Sequence, residues 1–203
     1  KVTEIGQATF ANCTMLKYVH LPSGIKSIGE MAFVGCNELE SLVLPDNLRN
    51  IGDYAFSDCK GLISVDTSRV QCLEMMGTGT FFGCTSLKSM TIPLGLVNLS
   101  KTTFMGCKSL EDVSLPEGIS IIGECAFGRC GSLVQITIPD SIEVLEKYAF
   151  SECEALERLN LSQNSCLEQI GESAFYGCRN LKDITIPQNV ENIGEAAFFA
   201  CGS

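Results

Sequence analysis

Residues 122–139 read I-G-E-C-A-F-G-R-C-G-S-L-V-Q-I-T-I-P, and this run decides the fold because it returns along the whole chain. Cys130 within it belongs to a register of nine: Cys13, Cys36, Cys59, Cys84, Cys107, Cys130, Cys153, Cys178 and Cys201. The steps between them are 23, 23, 25, 23, 23, 23, 25 and 23 residues. A Phe stands three positions before each, from Phe10 to Phe198, and a Leu three positions after each of the first eight, from Leu16 to Leu181. All six prolines (Pro22, Pro45, Pro93, Pro116, Pro139 and Pro187) keep the same clock. Independent residue types that share one period are not a compositional accident. A fixed period of this length marks a solenoid, in which each repeat buries its apolar face only by stacking on its neighbours.

The unit can be written A-F-x-x-C-x-x-L-x-x-V-x-L-P-x-x-I-x-x-I-G-E, and its local periodicity changes along its length. V-x-L alternates with polar residues and suits a short strand. The Pro ends that strand because it has no N–H to give to a ladder. I-x-x-I-G is a second extended stretch on the opposite wall, and G-E-x-A-F-x-x-C reads as a tight helical or 3₁₀ turn with Ala and Phe inward. Stacked at about 4.8 Å per strand, nine such turns make a rod on the order of 40 Å long. Each repeat inserts about seven apolar side chains worth roughly 1.5–3 kcal/mol apiece on full burial, enough to offset the ordering of one turn.

Composition agrees with a packed repeat. Apolar residues make up 45% and charged residues 19% of 203 residues, so there is material for a core and no polar tract of disorder. The formal charge of −10, with 14 scattered Lys and Arg, speaks against nucleic-acid binding. No apolar run approaches the roughly 18 residues of a membrane span, and no leader pattern opens the stretch, so no membrane insertion is expected.

The run from Ile122 to Pro139 resembles the BspA-like, Treponema-type leucine-rich repeat, and the resemblance extends over essentially the whole chain. It implies a right-handed α/β-type superhelix with a concave parallel sheet, short second strands, and 3₁₀ or helical turns on the other walls. It also implies the cell surface or the secreted space as location, and a protein partner such as a host matrix or surface protein. The resemblance brings no catalytic, metal or cofactor residues with it, and no cofactor is expected.

Two repeats are longer by two residues and lack the Pro: Val65–Gly77 and Leu159–Gly171. They share S-x-x-x-C-L-E, place Cys72 and Cys166 in equivalent positions 94 residues apart, and so suggest a duplicated block of four repeats. At about 4.8 Å per repeat those two thiols stand roughly 19 Å apart and cannot pair. The chain is expected to be one domain, 1–203, of about nine repeats of 23–25 residues, starting and stopping mid-repeat without caps, and therefore an excerpt of a longer array.

The cysteine register is read first as buried reduced thiols, because identical side chains on a parallel stack point the same way. Disulfides and metal coordination are the competing readings; only Cys125 and Cys130 approach a zinc-ligand spacing. Cys125 sits at a variable position, where other repeats carry Met31, Tyr54 or Tyr148, and is expected to be partly exposed. His20, the single histidine, has no partners for a triad or metal cage and is expected on the surface. Asn12, Asn98 and Asn160 open glycosylation sequons at a number near chance.

The candidate partner-binding residues are the outward positions of the first strands, since a parallel stack lines them up in columns. One column is Tyr18, Ser41, Ser64, Ser89, Asp112, Gln135, Arg158 and Asp183. The other is His20, Val43, Asp66, Thr91, Ser114, Thr137, Asn160 and Thr185. Most are small and polar, and a plain solvated sheet face is the competing reading; only Tyr18 and Arg158 are typical anchors. A protein-recognition module is the expected function. A structural stalk carrying another domain is the alternative, and no constellation for an enzyme is present.

Overall fold

The computed structural model describes residues 2–71, 73–162 and 164–202. The chain winds as a parallel β-solenoid of about eight turns. Each coil contributes three walls, and each wall follows from a segment of the repeat.

The V-x-L segment forms the first-strand wall, with three-residue strands at Ser41–Val43, Ser64–Asp66, Ser89–Thr91, Asp112–Ser114, Gln135–Thr137 and Arg158–Asn160. Every one alternates exposed, buried, exposed, as the period-two pleat requires when one face meets a core. They pair in parallel as a four-strand sheet from Ser41 to Ser114 and a two-strand sheet from Gln135 to Asn160. The register is one residue per repeat: Ser41 faces Ser64, and Gln135 faces Arg158. The I-x-x-I segment forms the second wall from two-residue strands, among them Ser27–Ile28, Asn50–Ile51, Ile121–Ile122 and Val144–Leu145. These pair in parallel as well, Ile28 against Ile51 and Ile122 against Leu145.

The third wall corrects the sequence reading. No helix or 3₁₀ segment occurs among the described residues, so the α/β-type superhelix with helical turns gives way to an all-β solenoid. The E-x-A-F-x-x-C segment is instead a chain of hydrogen-bonded turns. In one coil the amides of Ala32, Val34 and Cys36 donate to the carbonyls of Gly29, Met31 and Phe33, three residues back. The intervening amides of Met31, Phe33 and Gly35 donate forward to Asp53, Ala55 and Ser57 of the next coil at 2.7–2.8 Å. Half of the backbone donors therefore close turns within a coil and half stitch coils together, which a helix could not do. The reason is backbone sign. Two positions of every such segment have positive φ, for example Met31 (53°) with Gly35 (70°), and Tyr54 (54°) with Asp58 (55°). A positive φ is what the third residue of a type II turn needs, and it interrupts a right-handed helix at once.

The core runs down the axis as columns of identical residues. Phe33, Phe56, Phe81, Phe104, Phe127, Phe150 and Phe175 are fully buried. Together with Phe10 and Phe198 they stack with ring centroids 4.9–5.7 Å apart and planes within 16° of parallel. Beside them runs the Leu column, fully buried from Leu39 to Leu156. The coil-to-coil stack thus buries what no single repeat could cover.

Candidate functional site

The cysteine column lies against the Phe column and has a defined chemistry. From Cys36 to Cys201, each thiol donates to the carbonyl oxygen of the Phe one coil back: Cys36 to Phe10, Cys107 to Phe81 and Cys153 to Phe127, at 3.1, 3.1 and 3.0 Å. The same carbonyls already accept a turn bond from a backbone amide, as Phe10 does from Cys13 and Phe81 from Cys84. The thiol occupies their second lone pair. Cysteine therefore combines the volume of a small hydrophobe with a donor, which Val or Ala would lack. The cysteines of the described residues are free, and Cys36 through Cys178 of the register are buried. Burial pushes the Cys107 and Cys153 thiols up to about 12, and those of Cys84 and Cys130 well above their ordinary value. Groups so far from ionising are poor nucleophiles and poor metal ligands. Among the described residues no group of three or more His, Cys, Asp or Glu is placed to hold a metal. Cys125 is half-buried and Cys166 exposed; the comparison of Cys166 with Cys72 falls outside the described residues.

The outward columns are solvent-facing. Ser41, Val43, Ser64, Asp66, Ser89, Thr91, Asp112, Ser114, Gln135, Thr137, Arg158 and Asn160 are all exposed ends of three-residue strands. Asp183 is joined to Arg158 by a single bridge, and Thr185 is exposed outside any strand. Tyr18 and His20 are exposed too, yet lie in no strand, because the first coil does not pair with Ser41–Val43. A pocket of about 290 Å³ opens there, lined by Tyr18, His20, Ser41, Val43 and Asp46, with Arg69 reaching in from the longer repeat. Glu40 accepts a 2.9 Å bond from the Tyr18 hydroxyl and raises its pKa. Further along, a shallow hollow of about 580 Å³ is lined by both columns from Ser64 to Ser114. At its rim the Ser68 hydroxyl and amide hold the Asp66 carboxyl below its usual range.

The three sequon asparagines, Asn12, Asn98 and Asn160, are exposed. Among the described residues no helix is long and apolar enough to cross a membrane. Sequence reasoning missed two features, the Arg69 reach into the first pocket and an apolar interruption at Leu94 and Val97 on the opposite rim. The second was legible, since these two stand where other repeats carry Asp46, Glu117, Arg49 and Glu143.

Comparison with known proteins places the chain in context. The BspA type leucine rich repeat region model, in six copies, matches residues 1–107 and 74–203. A leucine-rich repeat protein from Bacteroides ovatus is similar over 94% of this chain and 72% of its own, at 28% identity and a TM-score of 0.53. One from Eubacterium ventriosum is similar over 98% and 80%, at 17% identity and a TM-score of 0.71, which supports the fold alone. A search of curated proteins finds no match.

Proposed function

The chain belongs to the BspA-type leucine-rich repeat family, and from that premise we propose that it is a protein-recognition module of a cell-surface or secreted protein. Leucine-rich repeats generally serve as protein-interaction modules. One observation carries the reading: the exposed, buried, exposed alternation of the first strands sets two outward side chains per coil in straight columns. Columns spaced at about 4.8 Å suit an extended or repetitive protein surface. The hollow between Ser64 and Ser114 and the pocket beside Tyr18 give that face relief. Tyr18 and Arg158 are the anchors, because a rigid aromatic and a planar guanidinium concentrate binding energy.

Immobilised extracellular-matrix proteins, fibronectin and fibrinogen among them, test the reading in a surface-binding assay. Saturable binding is expected, lowered about tenfold or more by Thr91→Lys with Thr137→Lys, which crowd both parts of the face. Binding untouched by those substitutions removes the first-strand face from the account. No saturable binding to any matrix protein overturns adhesion. The small polar columns then favour the second reading, a stalk that spaces another domain.

A further inference from the structure

On the rim between the first and second walls, one residue per repeat sits just before the second strand, and the backbone aligns these residues rigidly. The amide of Arg49 donates to the Lys26 carbonyl, Glu143 to Ser120, Glu168 to Glu143 and Glu191 to Glu168, each at 2.8 Å. This column is graded. Headed by Thr3, whose carbonyl accepts the Lys26 amide, it carries the cations Lys26 and Arg49, has Val97 at its centre, and ends with the anions Glu143, Glu168 and Glu191, all exposed. Glu74 and Ser120 flank the centre, and Glu74 already pairs with Arg49 at 3.4 Å. Beside Val97 stands Leu94; the two are 62% and 61% exposed, in positions otherwise polar or charged.

Reversing the order of such a column places its cations opposite its anions and its centre opposite itself. Two antiparallel copies related by a two-fold axis at Val97 bring Lys26 of one against Glu168 of the other, Arg49 against Glu143, and Val97 against Val97. A shift of the axis by half a repeat would set Glu74 against Glu143, two like charges. The opposite half-repeat shift leaves Lys26 against Glu143 as its one opposite-charge contact, so the axis at Val97 is the register that gives two kinds of opposite-charge contact and no like-charge one, the self-complementarity an isologous interface demands. We propose that this rim is a homodimer interface, with a second copy of this chain as its occupant. Leu94 and Val97 alone fall well short of the roughly 800 Å² per partner of a standard interface, so the charged flanks share the contact and the association is weak and salt-sensitive.

Two charge-reversed proteins test the register. One carries Lys26→Glu and Arg49→Glu, the other Glu143→Lys and Glu168→Lys; circular dichroism confirms that both retain the native fold. Sedimentation equilibrium of the unaltered chain should show a monomer–dimer equilibrium at low salt that shifts to monomer as salt rises. Each reversed protein alone should associate about tenfold more weakly or worse. Mixed together they should recover the dimer, because both charged contacts of the mixed pair are again opposite in sign. Val97→Lys should abolish association in every background. The proposal is overturned by a chain that stays monomeric at low salt, by dimers that ignore either reversal, or by a mixture no more associated than its components.

Discussion

The interior and the exterior of this solenoid obey opposite rules. Inside, the same residue returns in every coil: nine Phe in one stack, eight thiols each reaching back to a Phe carbonyl, and eight Leu beside them. Outside, every column changes, from Tyr18 to Asp183 on the first-strand face and from Lys26 to Glu191 on the rim. An inward position packs against its counterparts one coil away, so its character is held: one residue type in the Phe, Cys and Leu columns, and an apolar one throughout at the buried strand centres Leu42, Val65, Met90, Val113, Ile136 and Leu159. An outward position meets water, and nothing in the stack restrains it. The period therefore carries the fold, and departures from the period carry whatever is particular to this protein.

The largest break of that contrast comes from the Phe column. Phe104→Ala should cost about 3–5 kcal/mol, measured by urea unfolding, because it empties a fully buried site between two rings. Thr91→Ala on the outer column should stay within about 0.5 kcal/mol. Phe10→Ala should fall between them, since Phe10 stacks on one side only.

Next in size is the alkaline limit. The buried thiols of Cys107 and Cys153 ionise near 12 in the folded chain, against 9.0 for an unperturbed thiol. A raised folded value means that the unfolded chain releases its protons first. Stability is then complete below pH 9 and falls as pH rises towards 12. Each such thiol removes about 1.4 kcal/mol per pH unit across that window. Melting temperatures from pH 7 to 11 should show a plateau followed by a decline, and replacing both thiols by Val should make that decline less steep without removing it, because the buried thiols of Cys84 and Cys130 still contribute.

Cys107→Ala should cost about 1–2 kcal/mol, as it removes a bonded donor from the Phe81 carbonyl and leaves a small void. The smallest expected effect has the opposite sign. Thr102 is β-branched at a φ of 51°, and its hydroxyl oxygen is buried without a partner among the described residues. Thr102→Gly should stabilise the chain by about 1 kcal/mol by releasing both costs, as Gly79 does naturally one coil earlier.

The sequence made the inside legible and the turn wall less so. Phe, Cys, Leu and Pro each repeat, so burial, strand position and stacking register followed from counting. The turn wall was read as helical because Ala and Phe point inward in either conformation. Its distinguishing signal was partial. Gly35, Gly83, Gly106 and Gly177, with Asn12 and Asp58, favour the second positive-φ position of the segment, and that pattern speaks for turns. At the first such position Met31, Tyr54, Thr102 and Tyr148 give no hint, because the ladder to the next coil imposes the backbone there regardless of side chain. Among the candidate residues, exposure followed from strand alternation. The departure of Tyr18 and His20 from the sheet did not, since their repeat spells the same V-x-L-P as its neighbours.

The account rests most heavily on the cysteine column being packing and hydrogen bonding. Site-resolved alkylation followed by mass spectrometry measures this directly, without added reductant. In the folded chain Cys13 and Cys166 should react while Cys36, Cys59, Cys84, Cys107, Cys130, Cys153 and Cys178 stay protected, and in denaturant all seven should be modified fully. Thiols within that group that react before unfolding, or that resist alkylation in denaturant until a reductant is added, would contradict it.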